Sequence, residues 1–249
     1  MNDPTDDPLY RDPNLAQLYD AANRWGVDFD YCVTLAADAQ SVLDLGCGTG
    51  ELAAALAVNR SVTGVDPAGA MLDIARKRPG GREVTWVEAD ARNVRLGQRF
   101  DLIVLTGHVF QVFLTEDDQR AVLATIAAHL KPDGRFIFDS RNPAIRTWEN
   151  RNQHNTLHRL DHPQLGPLEA WNEPSFDDST NILTYENGYR ILATGQAFSG
   201  SAQIRFTPLE ELADMIAAAG LMVETWLGDW QGTPYHPDAK DIIPLGGLA

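Results

Sequence analysis

The chain lacks any run approaching the roughly 18 apolar residues of a membrane span. It also lacks any long run of lysine and arginine: 20 basic residues are set against 35 acidic ones, a formal net charge of −15. Such a surface repels polyphosphate and anionic lipid, which argues against nucleic acid and membrane as partners. Cysteine is scarce, with Cys32 and Cys47 alone, and neither their number nor their spacing makes a zinc site. The N-terminus, Met1 to Pro8, has neither the basic segment nor the apolar core of an export signal, and reads as an acidic, poorly ordered tail. Free thiols in a reducing cytoplasm follow from the same reading. No internal repeat is apparent.

What is present centres on residues 41–50, Ser-Val-Leu-Asp-Leu-Gly-Cys-Gly-Thr-Gly. Val42, Leu43 and Leu45 predict a short buried strand, and Glu51 to Ala57 predicts a helix directly after the glycines. Gly46 and Gly48 permit backbone conformations closed to other residues and leave no side chain in a ligand's way. The helix start adds unpaired N–H groups and a positive dipole end, which suit a carboxylate or phosphate. Asp44 sits inside the apolar strand, where a carboxylate costs free energy unless it is hydrogen-bonded. The spacing is G-x-G-x-G, not the G-x-G-x-x-G of dinucleotide-binding proteins.

Asp44-Leu45-Gly46-Cys47-Gly48-Thr49-Gly50 resembles the first motif of the class I S-adenosylmethionine-dependent methyltransferases, an apolar strand followed by D-x-G-x-G-x-G. The resemblance covers about 41–139 firmly, where Leu-Lys-Pro-Asp-Gly at 130–134 also matches, and 207–246 loosely. It implies an α/β fold with an open, doubly wound, mostly parallel sheet of seven strands, the last antiparallel. It implies S-adenosyl-L-methionine as cofactor and methyl donor.

Strands are expected at 61–66, 83–88, 99–105, 135–139, 221–227 and 238–245, with helices at 67–78, 116–130 and 207–219. Pro244 is expected to put the last strand at an edge. Thr207 is expected to cap the last helix, with Pro208 at its first position. Helices are also expected at 14–24 and 28–38, in a segment (1–40) that the resemblance makes a cofactor cover. Residues 41–140 and 207–249 form the predicted core. Residues 141–206, polar and turn-rich, read as an antiparallel insertion with strands near 155–161, 167–176, 181–194 and 196–206. Its turn signals are Asp177-Asp178 and Asn187-Gly188, and its predicted role is a substrate lid.

Candidate ligand residues fall at strand ends. Asp66, about 20 residues past Gly46, can accept from both ribose hydroxyls, or cap the helix that begins at Pro67, or do both. Met71, one turn on, can lie against the adenine. Asp90 can accept from the adenine amino group beside the Ala91 N–H, or simply cap its turn. By the resemblance, Tyr19 and Arg24 are candidates for the methionine carboxylate. Cys47 lies in the glycine loop, and Thr106 begins the loop after the fourth strand, which should border the reactive end of the cofactor. That loop makes His108 the candidate catalytic base, or else a residue that shapes the loop. His154, His158 and His162 lie in the insertion.

Methyl transfer is an in-line displacement at a sulfonium, so a protein contributes mainly proximity and alignment. A base is needed only for a hydroxyl or a protonated amine. Thr106-Gly107-His108-Val109 replaces the Asn/Asp-Pro-Pro-aromatic motif of enzymes that methylate nucleobase or glutamine nitrogens, and no Pro-Cys pair supports cytosine C5 chemistry. The fourth strand ends without an acid, so no metal site is expected. The predicted function is therefore methylation of a small molecule by a monomer or homodimer. The alternatives are a regulatory or scaffold protein that binds the cofactor without turnover, and an NAD-dependent oxidoreductase, which the glycine spacing and Asp90 disfavour.

Overall fold

The computed structural model describes residues 7–249. The first six residues of the predicted tail lie outside them; from Asp7 on the chain is structured. Asp7 accepts a hydrogen bond from the Leu9 N–H and caps α1 (Pro8–Arg11). The single helix expected at 14–24 is instead two turns of helix, α2 (Pro13–Ala16) and α3 (Tyr19–Ala22). The break suits two packing surfaces: Leu15 and Leu18 face one cluster, Ala16 and Tyr19 another. Next comes α4 (Val27–Leu35).

The core follows in the predicted order: β1 (Ser41–Leu45), α5 (Glu51–Leu56), β2 (Ser61–Asp66), α6 (Gly69–Ala75), β3 (Val84–Glu88), β4 (Phe100–Leu105), α7 (Glu116–His129) and β5 (Leu130–Phe138). A two-residue strand, β6 (Ser140–Arg141), and a short helix, α8 (Gln153–Thr156), lead into β7 (His158–His162), β8 (Gly166–Asp177), β9 (Ile182–Ile191) and β10 (Ala197–Arg205). The core resumes with α9 (Leu209–Ala218), β11 (Leu221–Leu227) and β12 (Asp241–Leu248). The main sheet runs β11-β12-β5-β4-β1-β2-β3, with β6 paired to β12. Pairing is parallel from β5 to β3, and β12 is antiparallel to both its neighbours.

Alternation in the strands supplies both faces of this sheet. Leu43, Leu45, Ile103, Leu105, Phe136 and Phe138 pack with α7 and α9, while Val42, Leu102, Val104 and Ile137 pack with α4 and α5. The seam between the sheet's outward ends therefore lies at the carboxyl ends of β1, β2, β4 and β5, as a doubly wound sheet requires.

Four local expectations are corrected. Lys131–Gly134 does not separate helix from strand; β5 already pairs at Leu130, and 131–134 bulge out before pairing resumes at Arg135. Thr207 does not cap α9, because its hydroxyl donates to the buried Gln119 side chain at 3.0 Å. Pro244 does not mark an edge: β12 is interior and β11 is the edge, and the β12–β5 ladder begins at Leu245, so the proline's missing N–H breaks no bond there. Asn187-Gly188 is no turn but the middle of β9. Gly188 is needed because the Trp171 ring crosses it; a Cβ there would lie 2.0 Å from the ring. The reversal comes at Asp177, whose carboxylate accepts from Ser179 and Thr180.

The insertion forms a separate four-stranded antiparallel sheet, β10-β9-β8-β7. Leu168, Ala170, Tyr189 and Ile191 on one patch pack on Leu15 and Leu18. Leu183, Ile204 and Phe206 pack on Trp148. The N-terminal helices thus lie between this sheet and α6.

Candidate active site

Two cavities meet beneath the N-terminal helices. The larger holds about 620 Å³ and runs from the glycine loop to the insertion; the smaller, about 110 Å³, runs along the ends of β2 and β3. Tyr10, Tyr19, Gly46, Gly48 and Gly107 border both. Arg24, Asp44, Cys47, Thr106 and His108 line the larger, and Asp66, Pro67, Met71, Asp90 and Ala91 line the smaller. The residues expected to hold the cofactor, and His108, therefore all border these two adjoining cavities; of the insertion histidines only His158 does, while His154 and His162 line neither.

The glycine loop is held open from below. Gly46 (φ 76°) and Gly48 (φ 53°) are both left-handed. A Cβ on Gly46 would fall 2.4 Å from Val109, so this glycine lets the β4 loop close against the β1 loop. A Cβ on Gly48 would meet nothing within 4 Å, so there the bare backbone faces the cavity. The Gly48 N–H donates to Asp66 at 2.9 Å, and the Ala68 N–H donates to the other Asp66 oxygen at 2.8 Å. Asp66 thus ties the loop to the start of α6. Burial pushes its carboxyl up, and these two N–H groups oppose that shift.

Asp44 is the most exceptional group. It is 2% exposed, no hydrogen bond to it is formed among the described residues' side chains, and it lines the larger cavity. Burial, with the Asp66 charge adding to it, pushes its carboxyl up to about 7. A carboxylate in that position calls for a cationic partner from outside the protein.

Asp90 is engaged within the chain. Arg92 donates to it from its backbone and its guanidinium, and also reaches Asp118 at 2.9 Å. It caps its turn as well as lining the smaller cavity.

At the far side of the larger cavity, the loop after β4 carries Gly107 and His108, both left-handed (φ 69° and 63°). For histidine this backbone is uncommon, and Asp139 at the end of β5 fixes it by accepting from the His108 N–H at 2.9 Å. Nε2 of the same residue lies 3.3 Å from Asp139 Oδ2 and 3.3 Å from Asp241 Oδ1. The imidazole lines the cavity with two carboxylates behind it. Asp28, at the start of α4, completes this wall; burial raises its carboxyl, Asp139 adds to the shift and His108 opposes it. Among the described residues no group of three or more His, Cys, Asp or Glu side chains is disposed to hold a metal ion.

Sequence reading missed Tyr10, Asp28, Asp241 and Arg141. Tyr10 falls between the segment read as a tail (1–8) and the first expected helix (14–24), and the other three gain meaning only through strand and helix packing. The Tyr10 and Tyr185 hydroxyls meet at 3.1 Å, joining α1 to the insertion.

The sheet order and the cavities at its carboxyl ends define a doubly wound α/β protein with a ligand site at the topological switch point. A methyltransferase domain model matches residues 42–134. The cypemycin N-terminal methyltransferase of a Streptomyces species is 27% identical over 207 residues, covering 83% of this chain and 82% of that protein. The dTDP-4-amino-2,3,4,6-tetradeoxy-D-glucose N,N-dimethyltransferase of Saccharopolyspora spinosa is 34% identical, over 51% of this chain and 54% of that one. In fold, the chain is similar to the CcbJ methyltransferase from Streptomyces caelestis, with a TM-score of 0.80 at 22% identity over the whole of both chains.

The chain carries a methyltransferase domain over residues 42–134, in line with the resemblance of its glycine motif to the class I S-adenosylmethionine-dependent methyltransferases. It is an S-adenosylmethionine-dependent methyltransferase, which favours turnover over the scaffold reading. The residues present fit that cofactor: a buried carboxylate awaits a cation, bare backbone faces the cavity at Gly48, and apolar Met71 and Ala91 border the smaller space.

Proposed function

We propose that this methyltransferase acts on an amine, with His108 as the general base. When bound, S-adenosylmethionine supplies a methyl group activated by a sulfonium. Asp44 would hold the ammonium of its amino-acid end, and Arg24 and Tyr19 its carboxylate. Asp66 would hold the ribose, and Asp90 with the Ala91 N–H the adenine edge, against Met71. Gly46, Cys47, Gly48, Pro67 and Thr106 would shape the walls. The insertion would serve as the substrate lid, closed over the cavity through α1 to α3.

An ammonium has no lone pair, so it must lose a proton before it can attack. His108 supports this step through its surroundings: Nε2 is turned to Asp139 and Asp241, and the residue lines the larger cavity. In this role Nε2–H would donate toward the carboxylates, which hold the ring in place, and Nδ1 would take the proton. This imidazole backed by two carboxylates is the observation that carries the reading. By its name the Saccharopolyspora spinosa relative methylates nitrogen and the Streptomyces relative acts at an N-terminus, which supports the choice of an amine. A cytoplasmic monomer or homodimer is part of the same reading, supported by two free cysteines.

Calorimetric titration with S-adenosylhomocysteine, with NAD as control, tests the cofactor. Incubation with labelled S-adenosylmethionine and matched amine and alcohol acceptors tests the nucleophile. Label transfer to alcohols but not to amines would refute the amine assignment, and NAD binding without S-adenosylhomocysteine binding would refute the cofactor sites.

A further inference from the structure

We infer that the acceptor carries an anionic group, a carboxylate or a phosphate, and that Arg141 and Arg151 form the subsite that receives it. The inference rests on the proposed methyl transfer at the larger cavity and names the acceptor's second point of attachment.

Several guanidinium groups in this acidic chain meet a carboxylate: Arg78 meets Asp20, Arg135 meets Glu224, Arg190 meets Glu169 and Arg205 meets Glu211. Arg141 and Arg151 line the larger cavity on the insertion side, and among the described residues neither forms an ion pair. Arg141 is half-buried, where a guanidinium without a counter-charge costs free energy. The partner it has is neutral. Its Nη1 and its backbone N–H each donate to Gln111 Oε1 at 3.2 Å. Gln111 is fully buried and is itself held by donating to the Arg205 carbonyl at 2.9 Å. A fixed amide thus aims the guanidinium without cancelling its charge.

The carboxylate best placed to cancel it is turned elsewhere. Asp241 is the cross-strand partner of Arg141, so the two side chains leave the same face of the β6–β12 pair. Yet Asp241 accepts from the His108 ring at 3.3 Å. This pairing also fixes the layout. The anion subsite lies next to the base, so the acceptor's charged group and its nucleophilic nitrogen are near neighbours in one small molecule. Arg151, exposed at the cavity rim close to Trp148, supplies a second fork. Arginine's planar donors match the paired oxygens of carboxylates and phosphates.

The test uses the full chain saturated with S-adenosylhomocysteine, so that the cofactor's own carboxylate site is filled. Pyrophosphate and succinate are titrated separately by calorimetry into the wild type, R141Q, R151Q and the exposed-site control R82Q, each checked for a cooperative thermal transition. One of the two anions is expected to bind at millimolar concentration or tighter. Its affinity should fall about tenfold or more in R141Q and in R151Q, as for loss of a charge-assisted hydrogen bond, and stay unchanged in R82Q. Pyrophosphate binding would identify a phosphate-bearing acceptor, and succinate binding a carboxylate-bearing one. R151Q alters an exposed side chain, so it reads the subsite even if R141Q fails to fold. No binding of either anion to the wild type, or equal binding in R151Q, would overturn the inference while leaving methyl transfer intact. Failure of S-adenosylhomocysteine to bind in the first step would instead remove the functional reading and this inference with it.

Discussion

The parallel sheet and the antiparallel insertion solve different problems. In the parallel sheet, β1, β2 and β4 are buried on both faces, and the residues that matter sit where the strands stop: Asp44 and Gly46, Asp66, His108. In the insertion, strands are half-exposed, and Tyr185, Asn187 and Tyr189, at alternate positions of β9, line one cavity. A loop at the end of a rigid strand fixes a few atoms closely, as a conserved chemistry needs. A sheet face offers a broad wall whose side chains can change without disturbing the strands. On the proposed reading the cofactor falls to the first region and acceptor choice to the second, with His108 where they meet.

The largest expected effect tests that meeting point. H108Q keeps a polar side chain but cannot take a proton at neutral pH, so kcat for an amine should fall roughly 100-fold or more, the usual contribution of a general base. Affinity for S-adenosylhomocysteine should stay as it was. An equal loss in both measurements would make His108 a structural part of the cofactor site and blur the division. Raising the pH should restore part of the H108Q rate, because a growing share of the free amine then arrives unprotonated.

Asp44 sharpens the cofactor side. Its folded value, about 7, lies above that of an unfolded carboxyl. In the free protein its stabilising contribution is therefore complete below the ordinary carboxylate range and is lost as pH rises through about 7. A cationic ligand reverses the preference, since the ionised form is the one that meets an ammonium. S-adenosylhomocysteine, whose amino group stays protonated below about pH 8, should bind more tightly as pH rises from 5 to 7, by up to about tenfold per unit. D44N should flatten that slope. A slope unchanged in D44N would place the ammonium elsewhere.

D66A should cost about 1.5–3 kcal/mol of S-adenosylhomocysteine affinity, the range for hydrogen bonds to a charged group, with little change in the acceptor's KM. Part of this loss is mechanical, because Asp66 also holds the Gly48 and Ala68 N–H groups. D66N, which keeps one acceptor oxygen for the loop, separates the two roles: if it restores the melting temperature but not the affinity, the carboxylate itself meets the ligand.

The same contrast explains what was legible in the sequence. The core declares itself through strand runs and the glycine spacing, both local signals, and Asp44, Asp66 and His108 follow from the rule that ligands gather at strand ends. The insertion's strands were legible from alternation, but Asn187-Gly188 misled because a turn pair and a glycine flattened under a tryptophan look alike in one dimension. Pro244 misled for a related reason: which neighbour a strand lacks is settled by topology. The partners of His108 come from residues 139 and 241, a pairing made only when β12 inserts between β5 and β11.

The smallest expected effect concerns the piece that joins the two regions. Asp20 on α3 accepts from the Thr49 hydroxyl at 2.6 Å and from Arg78 at 2.7 Å, and Arg78 also donates to the Thr49 carbonyl at 2.8 Å. These bonds fasten the N-terminal cover, and with it Tyr19, to the glycine loop. The Asp20 carboxylate is 44% exposed, so its ion pair with Arg78 is largely screened and worth little alone. The donation to the Thr49 carbonyl is better protected, because the Arg78 side chain is only 15% exposed. R78M should therefore weaken S-adenosylhomocysteine binding by about 0.5–1.5 kcal/mol, the net value of a typical hydrogen bond, and high salt should reproduce only a minor part of that loss. D20N, which keeps an acceptor for Thr49, should lose less than R78M. If instead D20N equals R78M and salt abolishes the difference from wild type, the latch is electrostatic. The cover would then be held chiefly by its apolar contacts, Leu15 and Leu18 on the insertion and Ala16 on α6.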